Sequence, residues 1–301
     1  MPPSPMSRWQ IWWLAARPRT LPASIAGVLM GTALAWWEGQ WHPLAAFFAL
    51  LGAVLLQIGS NLANDVYDFE RGTDTSERLG PPRVTQSGLL TPTQVKRGMW
   101  ITFLLAALAG VYLISRAGWP IVLIGVTAIL AAIGYTGGPF PFGYYGLGDL
   151  FVFLYFGLAS VVGSYYAQTL HLSPLVWWMA LPIGALTTAI LVVNNLRDRA
   201  QDQASGKYTL AVYLGETGTR WEYTLLLAFA FGLLPFLVWK GKLPWGALFP
   251  WLAFPQALRW IRLVWQEHGR ALNKALAGSG QLALLYSLLF WIGLGIGKVL
   301  Q

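Results

Sequence analysis

Long apolar runs, separated by short polar or glycine-rich connectors, recur along the whole chain. Runs able to cross a hydrocarbon core of ~30 Å, which takes ~20 helical residues, fall at roughly 21–37, 43–64, 99–116, 119–136, 147–169, 174–196, 221–239, 244–263 and 281–300. Lipid offers no hydrogen bonds to a bare backbone, so such runs must be helices. The expected fold is all-α: a single membrane domain over 1–301, built as a bundle of nine transmembrane helices. The longest connectors, about 65–98 and 197–220, leave no room for a soluble domain. Trp36, Trp37, Trp41, Trp100, Trp119, Trp177, Trp178, Trp221, Trp239, Trp245 and Trp265 stand near the span ends, as interfacial belts require. Gly27 and Gly31 form a small-xxx-small pair suited to close helix packing.

Composition agrees with a lipid environment, since 56% of the 301 residues are hydrophobic and only 11% charged. Arg8, Arg17 and Arg19 before the first run imitate a secretory leader, but so many further spans follow that a retained first helix is expected. The net charge of +8 raises the question of nucleic acid, and its distribution answers it. With the N-terminus inside, 16 of the 20 Lys and Arg residues, Arg78 among them, fall on the inner side; only Arg116, Lys240, Lys242 and Lys298 fall outside. That bias predicts a cytoplasmic N-terminus and accounts for the basicity without a nucleic-acid partner. With no cysteine, any metal must bind oxygen or imidazole.

The chemistry is concentrated in two stretches. Five of the six Asp residues, at 65, 68, 74, 198 and 202, lie just after the second and sixth runs; the sixth is Asp149. An even number of crossings separates the two stretches, so both are expected on the same, cytoplasmic, face. Asn64-Asp65-x-x-Asp68 overlays Asn194-Asn195-x-x-Asp198, which suggests a duplicated helical unit. Helical spacing gathers Gln57, Asn61, Asn64, Asp65 and Asp68 on one face, and Asn194, Asn195, Asp198 and Asp202 on another. Ionisable residues at membrane depth are costly unless they serve a polar cavity. Hard oxygen donors without His or Cys suit Mg²⁺, which bridges carboxylates to phosphates, and Arg71, Arg83, Arg197 and Lys207 can hold the remaining anionic oxygens. Together these are the parts of a diphosphate site. Gly206-Lys207 lacks the first glycine and the preceding strand of a phosphate loop. His42, His171 and His268 stand apart at span ends.

Arg17-Pro18-Arg19-Thr20-Leu21-Pro22, the first acidic stretch through Gly72-Thr73-Asp74, Tyr135-Thr136-Gly137-Gly138-Pro139 and Asn194 to Val212 resemble, in this order, the UbiA superfamily of intramembrane prenyltransferases, and within it the branch that prenylates a naphthoate. The resemblance covers nearly the whole chain. It implies a bacterial inner-membrane enzyme whose active-site loops face the cytoplasm. The reaction implied is transfer of a polyprenyl group from its diphosphate to 1,4-dihydroxy-2-naphthoate, with loss of CO2 and diphosphate, in menaquinone synthesis. It further implies Mg²⁺ on Asn64, Asp65, Asp68, Asp74, Asp198 and Asp202, with Gly72 standing where many members carry a third acid. Substrate contacts are expected from Asn61, Asn64, Arg71, Arg83, Asn194, Asn195, Arg197 and Lys207, cation shielding from Tyr135 and Tyr144, and proton handling from Asp149. Rival expectations are another aromatic acceptor, 4-hydroxybenzoate or homogentisate, and a cation-coupled transporter, whose acids would lie nearer the bilayer midplane.

Overall fold

A short helix that the apolar pattern does not announce, α1 (Arg8–Ala16), opens the structure, a computed structural model that describes residues 6–74 and 79–299. Ser7 and Gln10 form a reciprocal capping box at its start, and Arg17 ends it in the left-handed conformation. The expected spans follow as α2 (Leu21–Trp37), α3 (Pro43–Glu70), α4 (Pro92–Ala117) and α5 (Trp119–Gly134). Next come α6 (Gly148–Val152) and α7 (Ser160–Thr169), joined by a π-helical turn at Phe153–Ala159, then α8 (Pro174–Ala204) and α9 (Leu210–Trp239). The eighth crossing departs from a plain helix. Pro244, Pro250 and Pro255 withhold amide hydrogens, so a 3-10 stretch (Trp245–Ala253) leads into α10 (Phe254–Gln266). With α11 (Leu272–Val299), nine crossing units stand among the described residues, and no strand is found there. Arg78 lies outside the described residues.

Burial ranks the helices. In the most apolar window of α8, 72% of residues are inside the protein, against 17% for α3, so α8 runs through the centre while most of α3 faces outward. Around α8 pack Met30 and Leu34 of α2, Tyr165 of α7, Tyr223 and Phe231 of α9, and Tyr286 and Phe290 of α11. A second cluster joins α1, α3 and α4 through Ala15, Leu62, Val66, Met99 and Phe103. Leu104, Leu108, Leu123, Leu130, Leu225 and Phe229 remain exposed, an outer surface fit for lipid. At its far end α3 turns inward, and Asn61, Asp65 and Asp68 are buried there beside Leu62, Ala63 and Val66.

Helices in lipid gain little from apolar burial against one another and associate through close packing instead. A Cβ on Gly27 or Gly31 would come within 2.7 or 2.4 Å of a backbone carbonyl of the π turn or α7. Gly246 and Gly293 approach more tightly still, since a Cβ on either would sit 1.9 Å from the other's carbonyl oxygen. Gly293→Ala is therefore expected to push the 3-10 stretch off α11, at a cost of ~1–3 kcal/mol or more. A thermal unfolding midpoint in detergent equal to that of the unaltered protein would refute this.

The histidines stand beside helix ends. His42 caps α3 by accepting from the Ala45 amide (3.2 Å), His171 stands 3.9 Å from Glu38, and His268 stands 2.7 Å from Glu216.

Candidate active site

Both acidic stretches end their helices in the same way. After α3, Gly72 takes a positive φ of 72°, its amide donates to Phe69, and the Thr73 amide turns back to the Asp68 carbonyl (3.1 Å). After α8, Gly206 (φ 76°) donates to Gln203, and the Lys207 amide turns back to the Asp202 carbonyl (2.8 Å). These are Schellman turns, which require glycine, and they fold Thr73 and Lys207 over the two acids. The turn geometry thus makes Asp202, rather than Asp198, the counterpart of Asp68.

In the first stretch the polar side chains divide into two groups. Asp68 and Asp74 face the guanidinium of Arg83, at 2.6 and 2.7 Å, and the Tyr144 hydroxyl donates to Asp68 at 2.7 Å. Thr73 lies 2.8 Å from that same hydroxyl. The other residues hold the scaffold. Asn61 donates to the Ala16 carbonyl (2.9 Å) and the Thr20 hydroxyl (3.0 Å), tying α3 to the segment after α1. Asn64 accepts from Thr136 (3.2 Å), and its carbonyl takes a further bond from Arg83. Arg71 donates to the carbonyls of Thr136 and Gly138. Asp65, 1% exposed, accepts the backbone amides of Val84 (3.1 Å) and Thr85 (3.0 Å), and Arg17 approaches it at 3.7 Å. It latches the loop that carries Arg83.

In the second stretch Arg197 forks onto Asp198 (2.8 and 2.5 Å) and also donates to Asn194 (2.9 Å) and Asn273 (2.7 Å). Lys207 reaches Asp202 at 3.5 Å. The other Asp202 oxygen and the Asn195 side-chain oxygen are buried and find no hydrogen-bond partner among the described residues.

The connector between α5 and α6 brings the two stretches together. The Tyr208 amide donates to the Tyr144 carbonyl (3.0 Å), the Lys207 ammonium lies 5.5 Å from the Tyr144 ring, and the Arg71 guanidinium lies 5.6 Å from it. The charge of Lys207 is felt at Asp68, and the charges of Asp68 and Asp198 at Asp202. Asn273 adds a second bridge by donating to the Leu79 carbonyl (3.0 Å). Burial opposes the Arg83 charge, yet Asp68, Asp74 and Asp65 hold its pKa above the usual arginine value. Burial, followed by the charge of Asp68, pushes the Tyr144 phenol up, so it stays protonated and donates. Tyr135 lies within the fields of Asp149, Asp68 and Asp202.

The two stretches are balanced in charge, each of their Asp residues close to a base. No group of three acidic or imidazole ligands is preassembled among the described residues. The donors nevertheless fit a hard cation: they are all oxygen, and one Asp202 oxygen and the Asn195 oxygen are buried without partners. An incoming anion would give Arg83, Arg197 and Lys207 a new partner and free Asp68, Asp198 and Asp202 for the metal.

Sequence reasoning missed Asn273 and Thr73. Asn273 is a single polar residue with no repeat to mark it. Thr73 was visible in the motif, but its contact with Tyr144 depends on the turn.

A profile of the UbiA prenyltransferase family matches residues 24–293. The chain is 41% identical to the 1,4-dihydroxy-2-naphthoate octaprenyltransferase of Escherichia coli K12, over 97% of each chain. It is 40% identical to the enzyme of the same name from Mycobacterium tuberculosis, over 98% of this chain and 100% of that one. Among solved structures it is similar to a UbiA homolog from Aeropyrum pernix K1 (TM-score 0.67, 15% identity, 98% and 99% covered). It is also similar to a UbiA homolog from Archaeoglobus fulgidus bound to DMAPP and Mg²⁺ (TM-score 0.63, 14% identity, 92% and 98% covered).

Proposed function

Because the chain belongs to the UbiA prenyltransferase family, we propose that it transfers a polyprenyl group from an isoprenoid diphosphate to 1,4-dihydroxy-2-naphthoate, releasing CO2 and diphosphate, in menaquinone synthesis. The observation that carries this reading is the meeting of two acidic helix ends at Tyr144, with Arg83 and Lys207 between them. Near-full-length similarity to enzymes named for that acceptor supports the choice of naphthoate. The transporter expectation has no comparable support, since the acids sit at the helix ends.

In the mechanism, Arg83, Arg197 and Lys207 bind the diphosphate oxygens and orient the allylic carbon away from them. Asp68, Asp198 and Asp202, with Asn64, Asn195 and Asp74 nearby, would hold Mg²⁺. When bound, the metal supplies positive charge against the negative charge that grows on the departing diphosphate. Arg83 reinforces this, because two carboxylates and the Asn64 carbonyl fix its guanidinium before substrate arrives. The Tyr144 and Tyr135 rings offer π-faces to the allylic cation, and the apolar walls keep water from quenching it. Asp65, Asn61 and Arg71 act as holders. The lipid bilayer is the prenyl tail's solvent. The N-terminus and both acidic stretches face the cytoplasm of a bacterial inner membrane.

The test is purified protein in detergent with dihydroxynaphthoate, octaprenyl diphosphate and Mg²⁺, run beside 4-hydroxybenzoate and homogentisate. Prenylated naphthoquinol is the expected product. Prenylation of either rival with none of the naphthoate would transfer the protein to another branch. Treatment with EDTA is expected to abolish turnover, and excess Mg²⁺ to restore it. Full activity in EDTA would remove the metal from the scheme.

A further inference from the structure

Asn273 belongs to neither acidic stretch, yet its side chain ties one to the other. It stands in the first turn of α11, half-buried, next to the buried Leu272. A short polar side chain at such a place commonly turns back to the backbone of its own helix; Asn273 directs both ends of its amide elsewhere. The oxygen accepts from Nη1 of Arg197 (2.7 Å), 76 residues away along the chain. The N–H₂ group donates to the Leu79 carbonyl (3.0 Å), 194 residues away. An arginine can only donate and a carbonyl only accept, so these two partners fix which way the amide faces. Leu79 precedes Arg83 by four residues in the connector between α3 and α4. It also lies against the turn before α11, where a Cβ on Gly269 would come within 4.0 Å of its side chain.

A guanidinium carries five N–H hydrogens in one plane. In Arg197 the Nε and Nη2 groups fork onto Asp198, Nη2 also donates to Asn194, and Nη1 donates to Asn273. One Nη1 hydrogen is left without an acceptor among the described residues. Asn273 and the Asp198 fork hold the plane from different edges, and the direction of that remaining N–H follows from both. When Asp198 turns to a cation, Asn194 and Asn273 are the partners that stay. Both are neutral, so neither competes with an incoming phosphate for the arginine's charge, and only Asn273 comes from another helix. The connector that carries Arg83 is anchored twice in a similar way: Asp65 of α3 holds it at Val84 and Thr85, and Asn273 of α11 holds it at Leu79.

We infer that Asn273 is a positioning residue of the diphosphate site: its single amide fixes both the Arg197 guanidinium and the connector that carries Arg83, and so sets the spacing of two basic contacts to one anion. This rests on the diphosphate reading above. Asn273 touches no reacting atom and acts through the two arginines.

The experiment compares wild type, Asn273→Ala and Asn273→Asp in detergent with Mg²⁺. Calorimetry gives the Kd of inorganic pyrophosphate, kinetics give KM for prenyl diphosphate and for dihydroxynaphthoate, and thermal unfolding reports the fold. Asn273→Ala removes both bonds. Asn273→Asp keeps the size of the side chain and an acceptor for Arg197, but sets a carboxylate oxygen against the Leu79 carbonyl; it decides the matter if the Ala variant does not fold. Each variant is expected to raise the pyrophosphate Kd and the donor KM by ~10-fold or more, the scale of one lost hydrogen bond to a charged group, while the acceptor KM holds. The acceptor is itself an anion, so bare repulsion by a new carboxylate raises both KM values together. An equal rise for donor and acceptor overturns the inference, and so does unaltered pyrophosphate binding, with or without a lower unfolding midpoint. If wild type binds no pyrophosphate and uses no prenyl diphosphate, the diphosphate reading itself fails and this inference falls with it.

Discussion

Asp68→Asn and Asp198→Asn are each expected to lower prenyl transfer by ~10²–10³-fold or more, the range seen when one preorganised electrostatic contact to a transition state is removed. The substitution keeps size and one oxygen but removes the charge that would draw the metal. The fold should survive in both cases. In Asp68→Asn, Arg83 keeps Asp74 at 2.7 Å, and Tyr144 can still donate to the remaining oxygen. In Asp198→Asn, Arg197 keeps Asn194 and Asn273. Breaking a buried pair outright can cost ~3–5 kcal/mol, so these backup partners make the kinetic result interpretable. The measurement is the initial rate per folded protein, with folding checked by size exclusion and thermal unfolding. Because the two acids serve one leaving group, the double variant should be scarcely worse than either single one. Activity within threefold of wild type in a folded variant would break the link between the converging acids and the chemistry.

How far the sequence could be read follows from what each feature depends on. Spans depend on length and apolarity, properties of contiguous residues, and so the nine crossings were visible. Asp68, Asp198 and Asp202 were visible because charge at the edge of a membrane helix is costly wherever it occurs. The echo of Asn64-Asp65-x-x-Asp68 in Asn194-Asn195-x-x-Asp198 was visible too, but the glycine turns at 72 and 206 set Asp68 against Asp202 instead. What stayed hidden depends on partners distant along the chain. Asn61 and Arg71 carry donors fit for phosphate, and only the fold shows them occupied with the Ala16, Thr136 and Gly138 carbonyls. The helix α1 is too short to register as a span, and the 3-10 stretch before α10 reads as apolar helix unless its prolines are weighed.

Asp65 is the position where residue type and geometry diverge most, and it yields the sharpest test. A carboxylate in an acidic motif suggests a metal ligand, but both of its oxygens accept backbone amides from the Arg83 loop. Asp65→Asn replaces one acceptor by an N–H₂ group that confronts an amide donor in a site only 1% exposed. The mismatch should cost ~1–3 kcal/mol, charged against the docking of that loop. Since ~1.4 kcal/mol is a factor of ten, the KM for prenyl diphosphate should rise by about 10–100-fold as Arg83 leaves its place. A latch and a metal ligand make opposite predictions for the protein without metal or substrate. Loss of a latch exposes the loop, so trypsin should cut after Arg83 in Asp65→Asn well before it does so in wild type. Loss of a ligand alone leaves the ligand-free digestion pattern unchanged and moves only the Mg²⁺ requirement. An unaltered digest together with a raised Mg²⁺ requirement would return Asp65 to the metal.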